Sequence, residues 1–95
     1  MEINNIPTLD LHGESREIAI ILANDFINDN YKLGKKEILI IHGIGKGIIK
    51  KAILDLANKN KLVNKYYYNF FNIGCIYIEL KEKSKNNWLF LYNML

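Results

Sequence analysis

The chain has 95 residues, 49% of them hydrophobic and 24% charged, with one cysteine and a formal net charge of +3. That length allows one domain with a single core, and a lone thiol excludes an intrachain disulfide and any metal site built from thiolates. The polar start from Met1 to Thr8, and the lack of any apolar run of bilayer length, argue against a leader or a membrane span, so the expectation is a cytoplasmic protein.

In chain order, Ile6 to Leu11 alternates imperfectly and ends in Leu-Asp-Leu, which predicts a strand leading into a His12-Gly13 turn. Ser15 then caps a helix running to about Tyr31. Glu17 is one residue short of the capping-box position and acts through the helix dipole instead. Ala19, Leu22, Ala23, Phe26 and Ile27 recur at three- and four-residue spacing and mark the inward face, and Gly34 ends the helix. The continuous run from Glu37 to Ile41 predicts a strand buried on both faces, closing at His42. A second amphipathic helix is expected from Lys46 to about Lys59, with Ile49, Ala52, Ile53 and Leu56 inward and Lys46, Lys50 and Lys51 toward solvent. Leu62 to Phe71 reads as an aromatic strand and Gly74 to Leu80 as the last one, in which a buried, reduced Cys75 is expected. The order is βαβαββ, an α+β two-layer sandwich. The right-handed crossover rule makes the first two strands parallel with their C-terminal ends at one edge, so His12 and His42 converge.

Charge is unevenly spread. Residues 1–31 carry one basic and six acidic groups, residues 32–65 nine and two, and residues 66–95 three and two. The basic middle third suits a polyanion, although lysines also simply solvate a helix.

Two strings carry chemistry. Asp10 and His12 share a strand face, and a carboxylate beside an imidazole fixes its tautomer and stabilises its protonated form. The bland alternative is an aspartate that caps the turn and a histidine satisfied by backbone. In His42-Gly43-Ile44-Gly45-Lys46-Gly47, three glycines let the backbone approach an anion at a helix N-terminus, and Lys46 adds a full charge. Neither a Walker A loop nor a dinucleotide fingerprint fits the spacing. Tyr66, Tyr68 and Phe70 share one strand face with Tyr67 and Phe71 on the other. Aromatics of this kind stack on unpaired bases, but ordinary strand packing is the simpler reading.

Leu9-Asp10-Leu11-His12-Gly13 and His42-Gly43-Ile44-Gly45, followed by Gly74-Cys75-Ile76-Tyr77-Ile78-Glu79-Leu80, together resemble the Smr (small MutS-related) domain over roughly residues 7–80. The resemblance implies a fold similar to the C-terminal domain of translation initiation factor three, and an Smr-like domain over residues 1–80 with an apolar extension over 81–95. Ile76 departs from the family's usual threonine, and the glycine-rich loop before the last strand shrinks to Phe71-Asn72-Ile73-Gly74.

The resemblance also implies a nucleic-acid endonuclease acting on RNA or DNA. Asp10, His12 and His42 are the expected catalytic residues, and Gly13, Gly43, Gly45, Lys46, Gly47, Lys50 and Lys51 are expected to hold phosphate. On RNA one histidine takes the 2′-hydroxyl proton and the other protonates the leaving oxygen, whereas on DNA one activates water. A divalent cation is allowed through Asp10 but not demanded, and the ribosome is a further candidate partner. The alternative function is a noncatalytic nucleic-acid- or ribosome-binding module. A small-molecule phosphate enzyme is a weaker third reading. Trp88, Leu89, Phe90 and Leu91 are too apolar for a free tail and either fold back on the domain or bury against a second copy. A fold-back covers them only in part, so self-association through residues 86–95 is expected.

Overall fold

The computed structural model describes residues 5–69 and 72–83. In chain order the elements are β1 (Thr8–Asp10), α1 (Arg16–Lys32), β2 (Glu37–Ile41), α2 (Ile48–Lys59), β3 (Val63–Asn69) and β4 (Asn72–Leu80). Among the described residues the strands form one sheet in the order β1-β2-β4-β3. β1 is parallel to β2, while β4 is antiparallel to both β2 and β3. β1, β2 and β3 therefore point the same way and end at one edge.

The two crossovers, β1 to β2 through α1 and β2 to β3 through α2, step across the sheet in the same direction. A common right-handed turn then puts both helices on one face. Packing agrees: Ala19, Ala23 and Ile27 of α1 and Ile53 and Ala57 of α2 form one buried cluster with Ile38, Ile40, Ile76, Ile78 and Leu80 of the sheet. Each large aliphatic side chain so buried contributes about 1.5–3 kcal/mol. The result is the two-layer α+β architecture expected from the βαβαββ order.

Helix α1 starts where the sequence places its cap, with Ser15 Oγ accepting the Ile18 N–H at 3.2 Å. It closes at Gly34, whose φ of +76° suits glycine and whose N–H donates to the Tyr31 carbonyl at 3.0 Å. Leu22, expected inward, is exposed. The inward stripe runs Ala19, Ala23, Ile27, and its next slot belongs to Asn30, which satisfies itself by donating to the Phe26 carbonyl at 2.9 Å. Helix α2 begins at Ile48 rather than Lys46, because Gly47 sits in the left-handed region as its N-cap.

Strand β2 has the expected bounds but not the expected burial. Ile38 and Ile40 are fully buried, whereas Leu39 and Ile41 are half-buried, because both helices cover the same side. β1 is shorter than expected, and β4 begins two residues earlier. Tyr66 packs against the core and its hydroxyl donates to Asn58 Oδ1 at 3.2 Å. On the opposite face Tyr67 stacks on Tyr77, centroids 5.3 Å apart. Cys75 is buried, which pushes its thiol pKa up and makes it a poor nucleophile. Among the described residues no helix is long and apolar enough to cross a membrane. Phe70, Phe71 and the expected self-associating segment, residues 86–95, lie outside the described residues.

Candidate functional site

Because α1 follows β1 and α2 follows β2 through short turns, both helix N-termini sit at the edge where the parallel strands end. An open groove of about 900 Å³ lies there, lined among others by His12, Ser15, Arg16, His42, Lys46 and Lys50. Its walls include the first residues of α1 and the loop that enters α2. The positive ends of two helix dipoles, with their free N–H groups, thus face one space, an arrangement that favours an anion.

Asp10 and His12 meet as the period-two reading requires. Asp10 Oδ1 lies 2.6 Å from His12 Nδ1 and also accepts the His12 backbone N–H at 3.1 Å. That contact makes Nδ1 the protonated nitrogen and leaves Nε2 as the reactive one. The hydrogen bond from His12 holds the Asp10 carboxyl below the usual carboxylate range, and the same bond raises the His12 pKa above 6.5. Both side chains are well exposed, at 49% and 71%. The pair therefore contributes little to folding but is open to a substrate. Asp10 stands behind His12 rather than lining the groove itself.

His42 reaches the same groove in a different state. Alternation along β2 puts it on the helix side after Ile38 and Ile40, whereas Asp10 pairs with Ile41 on the other side. His42 is only 5% exposed. Its backbone N–H and that of Gly43 both donate to the Gly74 carbonyl, at 2.8 and 3.0 Å, which ties the loop to the start of β4. Nδ1 lies 2.7 Å from the Gly43 carbonyl, an acceptor only, so Nδ1 carries the proton. Nε2 is then a buried lone pair with no hydrogen-bond partner among the described residues. Burial is the main cause that lowers the His42 pKa, so this imidazole is neutral at pH 7. The two histidines share a groove, but one is an exposed, readily protonated group and the other a buried neutral one.

The glycines divide by role. Gly43 has φ of +87°, and a Cβ there would lie 3.1 Å from the His12 Cβ. It is the close approach that docks the second loop against the first. At Gly13, Gly45 and Gly47 a Cβ would meet nothing within 4 Å, so the backbone at the groove has open space above it. Lys46 and Lys50 line that groove. Lys51 does not: it faces an adjoining cleft with Arg16 and Asp55. Arg16 borders both clefts, and nothing in the sequence motifs singles it out. Its signal is faint, one arginine in an acidic segment directly after a helix cap. Ile76 is buried in the core and adds nothing to the site. Among the described residues no three His, Cys, Asp or Glu side chains gather to hold a metal.

The chain matches the Smr domain family over residues 9–81. It is 35% identical over 68 residues to the endonuclease MutS2 of Clostridium perfringens, covering 72% of this chain and 9% of that protein. A second MutS2, from Halothermothrix orenii, is 38% identical over 60 residues, covering 63% of this chain and 8% of the other. The chain thus spans about a tenth of the length of these relatives. Its fold is similar to the crystal structure of the Smr domain of Thermus thermophilus MutS2, with a TM-score of 0.76 at 20% identity, covering 80% of this chain and 99% of that one. It is also similar to YdaL, a stand-alone small MutS-related protein from Escherichia coli, with a TM-score of 0.77 at 21% identity over 83% of this chain and 70% of the other.

Proposed function

The chain belongs to the Smr domain family, and from that premise we propose that its groove binds RNA or DNA and cleaves a phosphodiester bond, with His12 as the proton carrier. The observation that carries this reading is the 2.6 Å Asp10–His12 pair at the mouth of a groove walled by two helix N-termini. The relatives named as endonucleases support the reaction class.

In this mechanism the glycine loop and Lys46 hold the scissile phosphate and stabilise the charge that develops on it. The 2′-hydroxyl of RNA, or water on DNA, attacks phosphorus and releases its proton to solvent, while His12, whose protonated form Asp10 stabilises, gives the proton on Nε2 to the leaving oxygen as its bond to phosphorus breaks. His42, neutral and turned inward, is a positioning residue that braces the loop through Gly43 and Gly74. A divalent ion, if bound, would be held through Asp10 and would supply positive charge for the phosphate, but these residues do not require one. The test is incubation of the protein with labelled RNA and labelled DNA, with and without chelator. Cleavage of either supports the reading, and binding without cleavage of both would replace it with a noncatalytic module. One observation favours that second reading: the groove offers a single accessible imidazole, where cleavage without a metal commonly uses two proton carriers.

Two outcomes follow from the electrostatics. If His12 must be protonated, cleavage falls as pH rises through its raised pKa. Asp10→Asn removes the cause of that rise, so the alkaline limb of the pH profile should move down toward 6.5. An unmoved limb would exclude His12 as the acid. If Lys46 and Lys50 contact phosphates, each lysine-to-alanine change should reduce the slope of log affinity against log salt by about one unit or slightly less. Lys83→Ala, just past the far end of β4, should leave the slope unchanged.

A further inference from the structure

Strand β3 runs parallel to β2, so its last residues reach the same sheet edge as His12 and His42. Its three consecutive tyrosines differ in what they touch. Tyr66 is packed against the core and bonded to Asn58, and Tyr67 stacks on Tyr77 and bonds to Glu37. Tyr68 is 41% exposed, and the Lys50 ammonium lies over its ring, 4.9 Å from the centroid. Lys50 also lines the groove. One lysine therefore joins the groove to an accessible aromatic ring three strand spacings, or about 14 Å, from β1.

Building on the reading of the groove as a nucleic-acid site, we propose that Tyr68 is a stacking platform for an unpaired base flanking the cleaved position, with Lys50 as the phosphate contact beside it. A π-face next to a cation is the combination that grips single-stranded nucleic acid without reading its sequence, because every base has a face to stack and every nucleotide a phosphate to neutralise. A duplex hides those faces, so the platform selects strands that are unpaired at this point. The distance from β1 means that the stacked base is a neighbour of the reacting nucleotide, and Tyr68 is a specificity residue rather than a catalytic one.

The test compares two fluorescein-labelled oligonucleotides of equal length, one with bases and one abasic, bound to the full chain by anisotropy. Tyr68→Leu keeps apolar bulk on the strand but removes the ring, and Tyr68→Phe keeps the ring. The expected result is an affinity for the base-bearing strand about ten-fold weaker in Tyr68→Leu, unchanged affinity for the abasic strand, and Tyr68→Phe within about two-fold of the native protein on both. Equal losses on the two strands, or no loss in Tyr68→Leu, would overturn the platform while leaving the groove's function intact. Failure of the native chain to bind either strand would overturn the groove reading and the platform with it.

Discussion

His12→Ala is expected to lower cleavage by about 10²-fold or more, the usual scale for losing a positioned acid or base, with almost no change in thermal midpoint. The second half of that expectation comes from exposure. The His12 side chain is 71% accessible and its charged contact with Asp10 lies in solvent, so its removal opens no cavity and strands no buried group. Asp10→Ala should lower cleavage in the same direction, because it removes the carboxylate that orients His12 and stabilises its protonated form. His42 separates positioning from proton transfer. In His42→Asn the side-chain amide can still donate to the Gly43 carbonyl, which the Nδ1–H of His42 now bonds at 2.7 Å. This variant should keep most activity, whereas His12→Asn should not. Measured turnover of a folded His12→Ala protein at the native rate would sink the mechanism. Loss comparable to His12→Ala in a folded His42→Asn protein would make His42 a second proton carrier.

Gly43→Ala is expected to damage stability and cleavage together. The left-handed φ of +87° costs an alanine about 1–2 kcal/mol, or roughly 4–16 °C in Tm for a domain of this size. The added methyl also lies 3.1 Å from the His12 Cβ, so His12 must give by a few tenths of an ångström and shifts relative to the glycine loop. Gly34→Ala is the matched control. Its φ is +76° with nothing within 4 Å of the Cβ position, and it sits at the far end of α1. It should show a similar fall in Tm and native turnover at temperatures where it is folded. Equal turnover in both variants would mean that contact between the loops does not set the catalytic geometry.

Much of this protein was legible in its sequence because the signals are local. The Ser15 cap and the Gly34 stop needed only neighbours a few residues away, and the Asp10–His12 pair needed only the period of a strand. The Glu37–Ile41 run announced a strand with correct bounds. Its burial is not legible there, since a run of apolar residues does not say whether helices lie on one face or both. Leu22 is exposed against its spacing for a related reason: three- and four-residue spacing gives a stripe, but its centre is set by the partner surface. The start of α2 slipped because Gly47 adopts a conformation that glycine permits and does not require.

By itself the sequence determined the βαβαββ order, the family strings that carry the proposed site, and the carboxylate–imidazole pair, all of which depend on residues close together along the chain. Only the tertiary structure decided that His12 stands exposed while His42 is buried and neutral, that Gly43 abuts His12, and that Arg16 and Tyr68 border the same edge. Those facts follow from strand order β1-β2-β4-β3 and from two crossovers of the same direction, which pack both helices on one face. Burial decides whether an imidazole can hold a charge, and burial is a property of what is packed above a residue rather than of its position in the chain.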